Sequence, residues 1–139
     1  MSAQRPDLGA LLHRLARAVV DAEAPVLGRH DVDMWAYVVL GGLEHGPAPT
    51  QSQLAAAVGR DKTRLIPILD RLEARGLLLR TPDPDDRRNR VVALTDAGRS
   101  LLADCRASIR ALEDDLLADL APDERVTFLT TLERLARAM

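Results

Sequence analysis

Charged side chains are concentrated between residues 60 and 90. This stretch holds nine basic and six acidic residues, a net charge of +3. The whole chain has a formal net charge of −2, so the other residues carry −5. Two groups in the stretch have the side chains to bind phosphates or base edges, namely Asp61-Lys62-Thr63-Arg64 and Arg87-Arg88-Asn89-Arg90. A basic segment on an acidic body is typical of one surface that faces a polyanion.

No other group of residues predicts catalysis or metal binding. His13, His30 and His45 are far apart and lack the paired spacing of metal ligands. No Ser-His-Asp arrangement, Gly-rich phosphate loop or carboxylate pair is apparent. The single cysteine, Cys105, lies on an apolar helix face and is interpreted as a core residue in a reducing compartment. We therefore expect no catalytic residue, no metal ligand and no cofactor.

Two short helices must position the first basic group. Thr50 and Gln53 fit a capping box, and the helix that they open ends at Val58-Gly59. A second helix is predicted from about Asp61 to Arg75, with Gly76 as its C-cap. Two short helices separated by a Gly-containing turn indicate a helix-turn-helix, whose second helix is the recognition helix.

A β-hairpin must position the second basic group. Residues 77–81 and 91–94 read as two strands, and the polar, Pro-bearing segment 82–90 between them is too long for a tight turn. A hairpin directly after a recognition helix is a wing. The predicted module is therefore a winged helix-turn-helix over residues 33–95.

Longer helices flank this module. An apolar face of Leu8, Leu11, Leu12, Leu15, Val19 and Ala22 predicts a first helix that ends near Pro25. A second helix is expected from Asp33 to His45, with Gly46 as a left-handed C-cap. Thr95-Asp96 caps a long helix, and Pro122 begins the last one. The predicted fold is mainly α with a small β-hairpin wing.

Size and composition favour one domain of packed helices. The chain has 139 residues, 47% hydrophobic and only 2% aromatic, so aliphatic side chains must build its core. Residues 1–7 lack a signal-peptide pattern, and no apolar run is long enough for a membrane span. We expect a single domain over residues 1–139, without membrane contact, in the cytoplasm and on the nucleoid when bound to DNA.

The order of elements resembles the MarR family of bacterial transcriptional regulators. The similarity is carried by residues 43–47, 53–55, 69–77, 83–88 and 94–98, of which the linked set from Asp70 to Gly98 is highly specific. The resemblance covers residues 8–138. It implies a homodimer in which residues 8–27 and 96–138 form interleaved dimerisation helices. It also implies a regulator, usually a repressor, that binds a pseudo-palindromic operator in double-stranded DNA.

Residues at the start of the two short helices are the candidate base and phosphate contacts. Arg64 can pair bidentately with guanine, Thr63 can touch a thymine methyl group, and Lys62 can meet phosphate. Gln51 and Ser52 open the preceding helix, where N-terminal amides attract phosphate. The alternative is that these are ordinary solvated residues at helix starts.

The wing arginines are the second set of candidates. Arginine favours the narrow, strongly negative minor groove of A·T-rich DNA. The family resemblance implies that a wing arginine enters this groove and that a neighbouring aspartate orients it, which here would be Arg88 and Asp86. Arg87 and Arg90 would then meet phosphate. The alternative is a solvated loop in which acidic residues neutralise the three arginines.

Pro67 departs from the family pattern. It lies in the middle of the predicted recognition helix, where many relatives carry a polar or basic residue. Proline removes the N–H that would reach the carbonyl of Thr63 and costs about 3 kcal/mol in a helix interior. We therefore expect a kink and an altered operator preference.

A small-molecule effector is also expected from the resemblance, since ligands of the family bind near the junction of the winged module and the dimerisation helices. Trp35, Tyr37 and His13 are the candidate ligand-binding residues, although the two aromatic residues could equally be core anchors. A second hypothesis is a winged module for protein contact without a DNA role. The arginine wing favours DNA, because a protein-contact wing would be more apolar.

Overall fold

The computed structural model describes residues 4–139, and residues 1–3 of the predicted domain lie outside this part. The helices are α1 (Leu8–Gly28), α2 (Met34–Gly42), α3 (Gln51–Val58), α4 (Lys62–Ala74), α5 (Asp96–Leu116) and α6 (Pro122–Ala138). The strands are β1 (Leu78–Pro82) and β2 (Arg90–Leu94). This mainly α architecture with a two-stranded hairpin confirms the predicted fold class.

Side-chain caps begin most of the helices at the predicted residues. The side chains of Asp33, Thr50, Asp61 and Thr95 accept hydrogen bonds from backbone N–H groups in the first turns of α2, α3, α4 and α5. Between α3 and α4, Gly59 takes a left-handed conformation (φ 70°) that a side chain would disfavour. The turn of the helix-turn-helix therefore depends on this glycine.

The first helix is longer than predicted. Pro25 lies inside α1, which continues to Gly28 instead of ending near the proline. The next two residues, Val26 and Leu27, are buried in the core. Burying two such side chains contributes about 3–6 kcal/mol, which offsets the loss of one helical hydrogen bond.

The second helix is shorter than predicted. It ends at Gly42 instead of His45, and Gly46 has a φ of 149° instead of the left-handed helical value. Beyond the helix, Ala48 forms two backbone hydrogen bonds with Val92 of β2, at 2.8 and 3.0 Å. The residues after Gly42 extend to this pairing with β2, so they cannot continue the helix.

The two strands of the hairpin lie within one residue of their predicted positions. Strands β1 and β2 are antiparallel, with Leu78 opposite Leu94 and Pro82 opposite Arg90. Gly98 of α5 lies so close to the start of the hairpin that a Cβ atom there would be 1.9 Å from the carbonyl oxygen of Leu77. The wing is thus anchored directly on α5.

The buried core lies in the winged module and the parts of α1 and α5 that pack on it. Its fully buried side chains are Leu27, Val39, Leu40, Leu54, Leu65, Leu69, Leu72, Leu78, Val92 and Cys105. By contrast, the first half of α1 is exposed, and α6 has no buried residue. Within residues 4–139, no helix is long and apolar enough to cross a membrane.

Candidate nucleic-acid interface

Helix α4 presents its first residues to solvent. Lys62, Thr63 and Arg64 are all exposed, while the apolar face that begins at Leu65 is buried. Asp61 accepts a hydrogen bond from the backbone N–H of Arg64 at 2.9 Å, and its carboxylate lies 3.5 Å from Arg64 Nε. Both side chains of this pair are well exposed, so the contact is weak and a nucleic acid can compete for the guanidinium.

Helix α3 begins beside α4 and the wing. Ser52 is exposed, and Gln51 is half-buried and accepts a hydrogen bond from Arg80 Nη1 at 3.3 Å. A cleft lined by Gln51, Ile66, Glu73, Arg80 and Arg90 joins the two helices to both strands of the wing. The predicted contact residues of α3 and of the wing therefore border one surface.

The wing tip is organised by Asp86. Its carboxylate accepts hydrogen bonds from the backbone N–H of Arg88 at 3.1 Å and from Arg88 Nε at 3.2 Å. These bonds lower the pKa of Asp86, so the carboxylate stays charged at neutral pH. The Arg88 side chain is 91% exposed. Asp86 therefore contacts Arg88 while most of the arginine side chain stays exposed.

The acidic residues of the segment are mostly engaged within the protein. Asp61 caps α4, Asp70 and Glu73 contact Arg80, and Asp86 contacts Arg88. In the described part of the chain, Lys62, Arg87 and Arg90 form no ion pair. Asp83 accepts a hydrogen bond from the backbone N–H of Asp85, and neither aspartate forms an ion pair in the described chain. Three aspartates therefore balance the three arginines of the loop in formal charge, and the solvated-loop alternative stays open.

Arg80 is a residue that sequence reasoning overlooked. Its half-buried guanidinium donates to Glu73 Oε1 at 2.8 Å and to Asp70 Oδ1 at 2.6 Å, besides Gln51. It therefore joins the wing to both helices of the helix-turn-helix. Side chains alternate between the two faces of a strand, so Arg80, which follows the exposed Leu79, turns toward the module. This alternation was a weak sequence indication of the contact.

The predicted ligand-binding residues do not form one group. The guanidinium carbon of Arg60 lies 3.9 Å from the centroid of the Trp35 ring, whereas that of Arg106 lies 5.4 Å from the centroid of Tyr37. The two aromatic side chains thus face the helix-turn-helix and α5, respectively. His13 lies in the exposed half of α1.

Tyr37 has the more unusual environment of the two. Its hydroxyl is buried without a hydrogen-bond partner among the described residues. Burial raises its pKa, although Arg106 and Arg110 oppose the shift. A buried donor without a partner is available to a polar atom of a ligand or to water.

Neither a metal centre nor a reactive thiol is apparent. Residues 4–139 contain no cluster of three or more His, Cys, Asp or Glu side chains that could hold a metal ion. Cys105 is fully buried, and that burial raises the pKa of its thiol. The thiol is therefore protonated at neutral pH and is a weak nucleophile.

Comparisons with known proteins agree on one family. Residues 34–89 match the model of the MarR family. The chain is 29% identical over 128 residues to a putative transcriptional regulatory protein for the hcr operon of Thauera aromatica, covering 92% of this chain and 73% of that protein.

Solved structures extend this similarity to the fold. The transcriptional repressor CouR bound to a 23-mer DNA duplex is 31% identical, with a TM-score of 0.84 over 94% of this chain and 92% of that one. CouR of Rhodococcus jostii RHA1 bound to p-coumaroyl-CoA is also 31% identical, with a TM-score of 0.79 over 96% of both chains.

Proposed function

Because the chain belongs to the MarR family of DNA-binding transcriptional regulators, we propose that it represses transcription as a homodimer on a pseudo-palindromic operator. The observation that carries this proposal is the surface shared by α3, α4 and the wing, where exposed basic side chains surround the Arg80 contacts. The similarity to CouR, which was solved on a DNA duplex, supports the same surface.

Each part of that surface has a separate task in the proposal. Helix α4 enters the major groove, where Arg64 and Thr63 contact base edges and Lys62 contacts phosphate. Gln51 and Ser52 contact phosphate at the start of α3.

The wing extends the contact to the next minor groove. Arg88, held by Asp86, enters that groove, and Arg87 and Arg90 contact the flanking phosphates. Protein contact through the wing is the less favoured alternative, because residues 83–90 carry only polar, charged and proline side chains.

Dimerisation is supported by two uncovered apolar faces. Leu8 on α1 is 63% exposed and Val126 on α6 is 64% exposed, and both belong to longer apolar rows. These rows consist of Leu8, Leu11, Leu12 and Leu15 on α1 and of Val126, Leu129, Leu132 and Leu135 on α6. Most helical stability comes from packing of an apolar face, so α6 needs a partner surface. A second copy of the chain would cover the apolar rows of α1 and α6 together.

A small-molecule effector is the finer part of the proposal. CouR was solved with p-coumaroyl-CoA, and here the buried Tyr37 hydroxyl lies between the winged module and α5 with Arg106 nearby. A ligand at this junction would change the spacing of the two recognition helices. Operator half-sites lie about 34–36 Å apart, so a small rearrangement is enough for release.

Footprinting on the DNA that flanks the protein's own gene, over a salt series, tests the proposal. We expect two protected half-sites about one helical turn apart and an affinity that falls steeply with salt. Adding p-coumaroyl-CoA as the first effector probe tests release. Equal affinity for unrelated duplexes would contradict sequence-specific recognition.

A further inference from the structure

Arg60 lies where three helices of the winged module meet. It follows Gly59 in the turn between α3 and α4, and its backbone N–H donates to the carbonyl of Ala55 at 3.0 Å. The next residue, Asp61, caps α4. The backbone of Arg60 thus belongs to the turn that determines how α4 leaves α3.

The side chain of Arg60 reaches a third helix. Its guanidinium carbon lies 3.9 Å from the centroid of the Trp35 ring on α2, which is the distance of a stacked cation–π pair. Arg60 Nε is buried and has no hydrogen-bond partner in the described chain, and the guanidinium forms no ion pair there. The aromatic face is therefore the main contact that this partly buried charge has.

We propose that Arg60 is a positioning residue, which stacks on Trp35 to fix the helix-turn-helix turn and thereby the angle of the DNA-reading end of α4. This inference rests on the proposed DNA-binding function. The distance along the chain supports it, because Lys62, Thr63 and Arg64 follow Arg60 within four residues. Any rotation of the turn moves all three contact residues together.

The stack also gives Trp35 a role other than that of a ligand wall. One face of its ring is covered by Arg60, so a ligand could stack there only by displacing the guanidinium. Displacement would release the turn that the stack holds.

Trp35 is the only tryptophan of the chain, so its fluorescence reports on the stack without DNA. Arg60→Met keeps an apolar stem but removes the planar charge. We expect a shifted Trp35 emission and stronger quenching by acrylamide, because one ring face becomes accessible. Arg29→Met changes an exposed arginine directly after α1, and as the matched control it should leave both unchanged. Unchanged emission and quenching in Arg60→Met would show that Arg60 does not cover the Trp35 ring, and would overturn the proposal.

Measurements of DNA affinity distinguish a positioning role of Arg60 from a direct contact of Arg60 with phosphate. On a duplex selected from random DNA by the unsubstituted protein, Arg60→Met should lose about two- to thirtyfold in specific affinity, the range of a cation–π pair. The dependence of affinity on salt should stay unchanged, because no phosphate contact is lost. A shallower salt dependence with intact sequence preference would instead make Arg60 a phosphate contact and overturn the proposal.

Two further variants sharpen the result. Arg60→Lys keeps the charge but not the planar stack, so we expect a loss like that of Arg60→Met, whereas a phosphate contact would be largely restored. In a Trp35→Leu background, Arg60→Met should cause no additional loss of affinity, and an additive loss would contradict the pairing.

If the unsubstituted protein selects no duplex, the proposed function and the positioning role both fail. The fluorescence result still decides whether Arg60 stacks on Trp35.

Discussion

Asp86 and Arg88 lie two residues apart at the tip of the wing, and their contact determines which way the arginine points. The carboxylate engages both the backbone and the side chain of Arg88, yet it leaves most of the guanidinium in solvent. An aspartate that accepts from the backbone as well as from the side chain restricts the arginine before DNA arrives. The pair therefore reduces the entropy lost when Arg88 enters a groove.

Removing Arg88 is expected to weaken DNA binding with a smaller salt dependence. Arg88→Ala should lower affinity about tenfold and reduce the slope of log affinity against log salt by about 0.9, because a protein with one positive charge fewer in the minor groove releases about one counterion fewer from the DNA. Fluorescence anisotropy with a labelled operator over a salt series measures both. Arg29→Ala is the control, and an affinity and slope unchanged in Arg88→Ala would remove the wing from the proposed interface.

Arg80 links the recognition helix to the wing. Glu73 of α4 accepts two hydrogen bonds from Arg80, one from the backbone N–H and one from Nε. The side-chain hydrogen bond from Arg80 is the main cause that lowers the pKa of Glu73. A group whose pKa is lowered by folding stabilises the fold above its unfolded pKa, and this stabilisation is lost as the pH falls through the lowered value.

Glu73→Gln should therefore destabilise the protein at neutral pH and weaken its acid sensitivity. We expect a loss of about 0.5–1.5 kcal/mol, discounted because both carboxylates around Arg80 are partly exposed. Urea unfolding at pH 7 and at pH values below the ordinary pKa of Glu73, at one protein concentration, measures the difference. Glu133→Gln removes an exposed pair with Arg137 and is the control. Equal losses at every pH would contradict the role of Glu73 ionisation.

Pro67 lies in the middle of the recognition helix. Helix α4 is continuous through the exposed Pro67, and the kink expected from the sequence stays a prediction. Pro67→Ala restores an N–H that can bond to the carbonyl of Thr63, so the free energy of unfolding should rise by up to about 3 kcal/mol.

The change should also reorient the residues before position 67 and alter the operator preference. Selection from random duplexes by both proteins measures this preference, and chemical denaturation measures the stability. An identical selected motif would make Pro67 incidental to recognition.

The distribution of burial divides the described chain into a packed module and helices with uncovered apolar rows. The core is confined to the winged module with the parts of α1 and α5 that touch it. Helix α6 is held to α5 by contacts such as the one from Arg125 Nη1 to Asp114 Oδ1 at 2.9 Å, while its apolar row remains exposed. This arrangement is expected of a subunit that completes its packing with a second copy.

A charge placed on that row should separate the subunits. Leu132→Glu is expected to convert a dimer at micromolar concentration into a monomer, because an unpaired carboxylate would be buried in the interface. Sedimentation velocity measures the state. Leu79→Glu makes the same change at a side chain of the wing that is 54% exposed and should leave the dimer intact. A stable monomer in the unsubstituted protein would contradict the role proposed for α1 and α6.

Local features of the sequence were sufficient to predict most helices and strands, and to place the basic residues at the start of α4 and at the wing tip. Capping residues such as Thr50 and Thr95, the glycine at position 59 and the apolar spacing in α4 and α5 act within a few residues, so the sequence alone determines them. The predicted contact residues therefore lie at these helix starts and at the wing tip, and their contact with DNA stays a prediction.

Other features depended on contacts between distant residues. The predicted ends of the first two helices, near Pro25 and at His45, were wrong because core burial and pairing with β2 override local propensity. The Arg80 contacts and the stack of Arg60 on Trp35 join residues that are 7 to 29 positions apart. Only tertiary packing brings such partners together, since the free energy of a contact between elements depends on how they are placed in space and not on residue types alone. The sequence by itself therefore determined the basic surface, and the tertiary structure decided which side chains hold that surface in place.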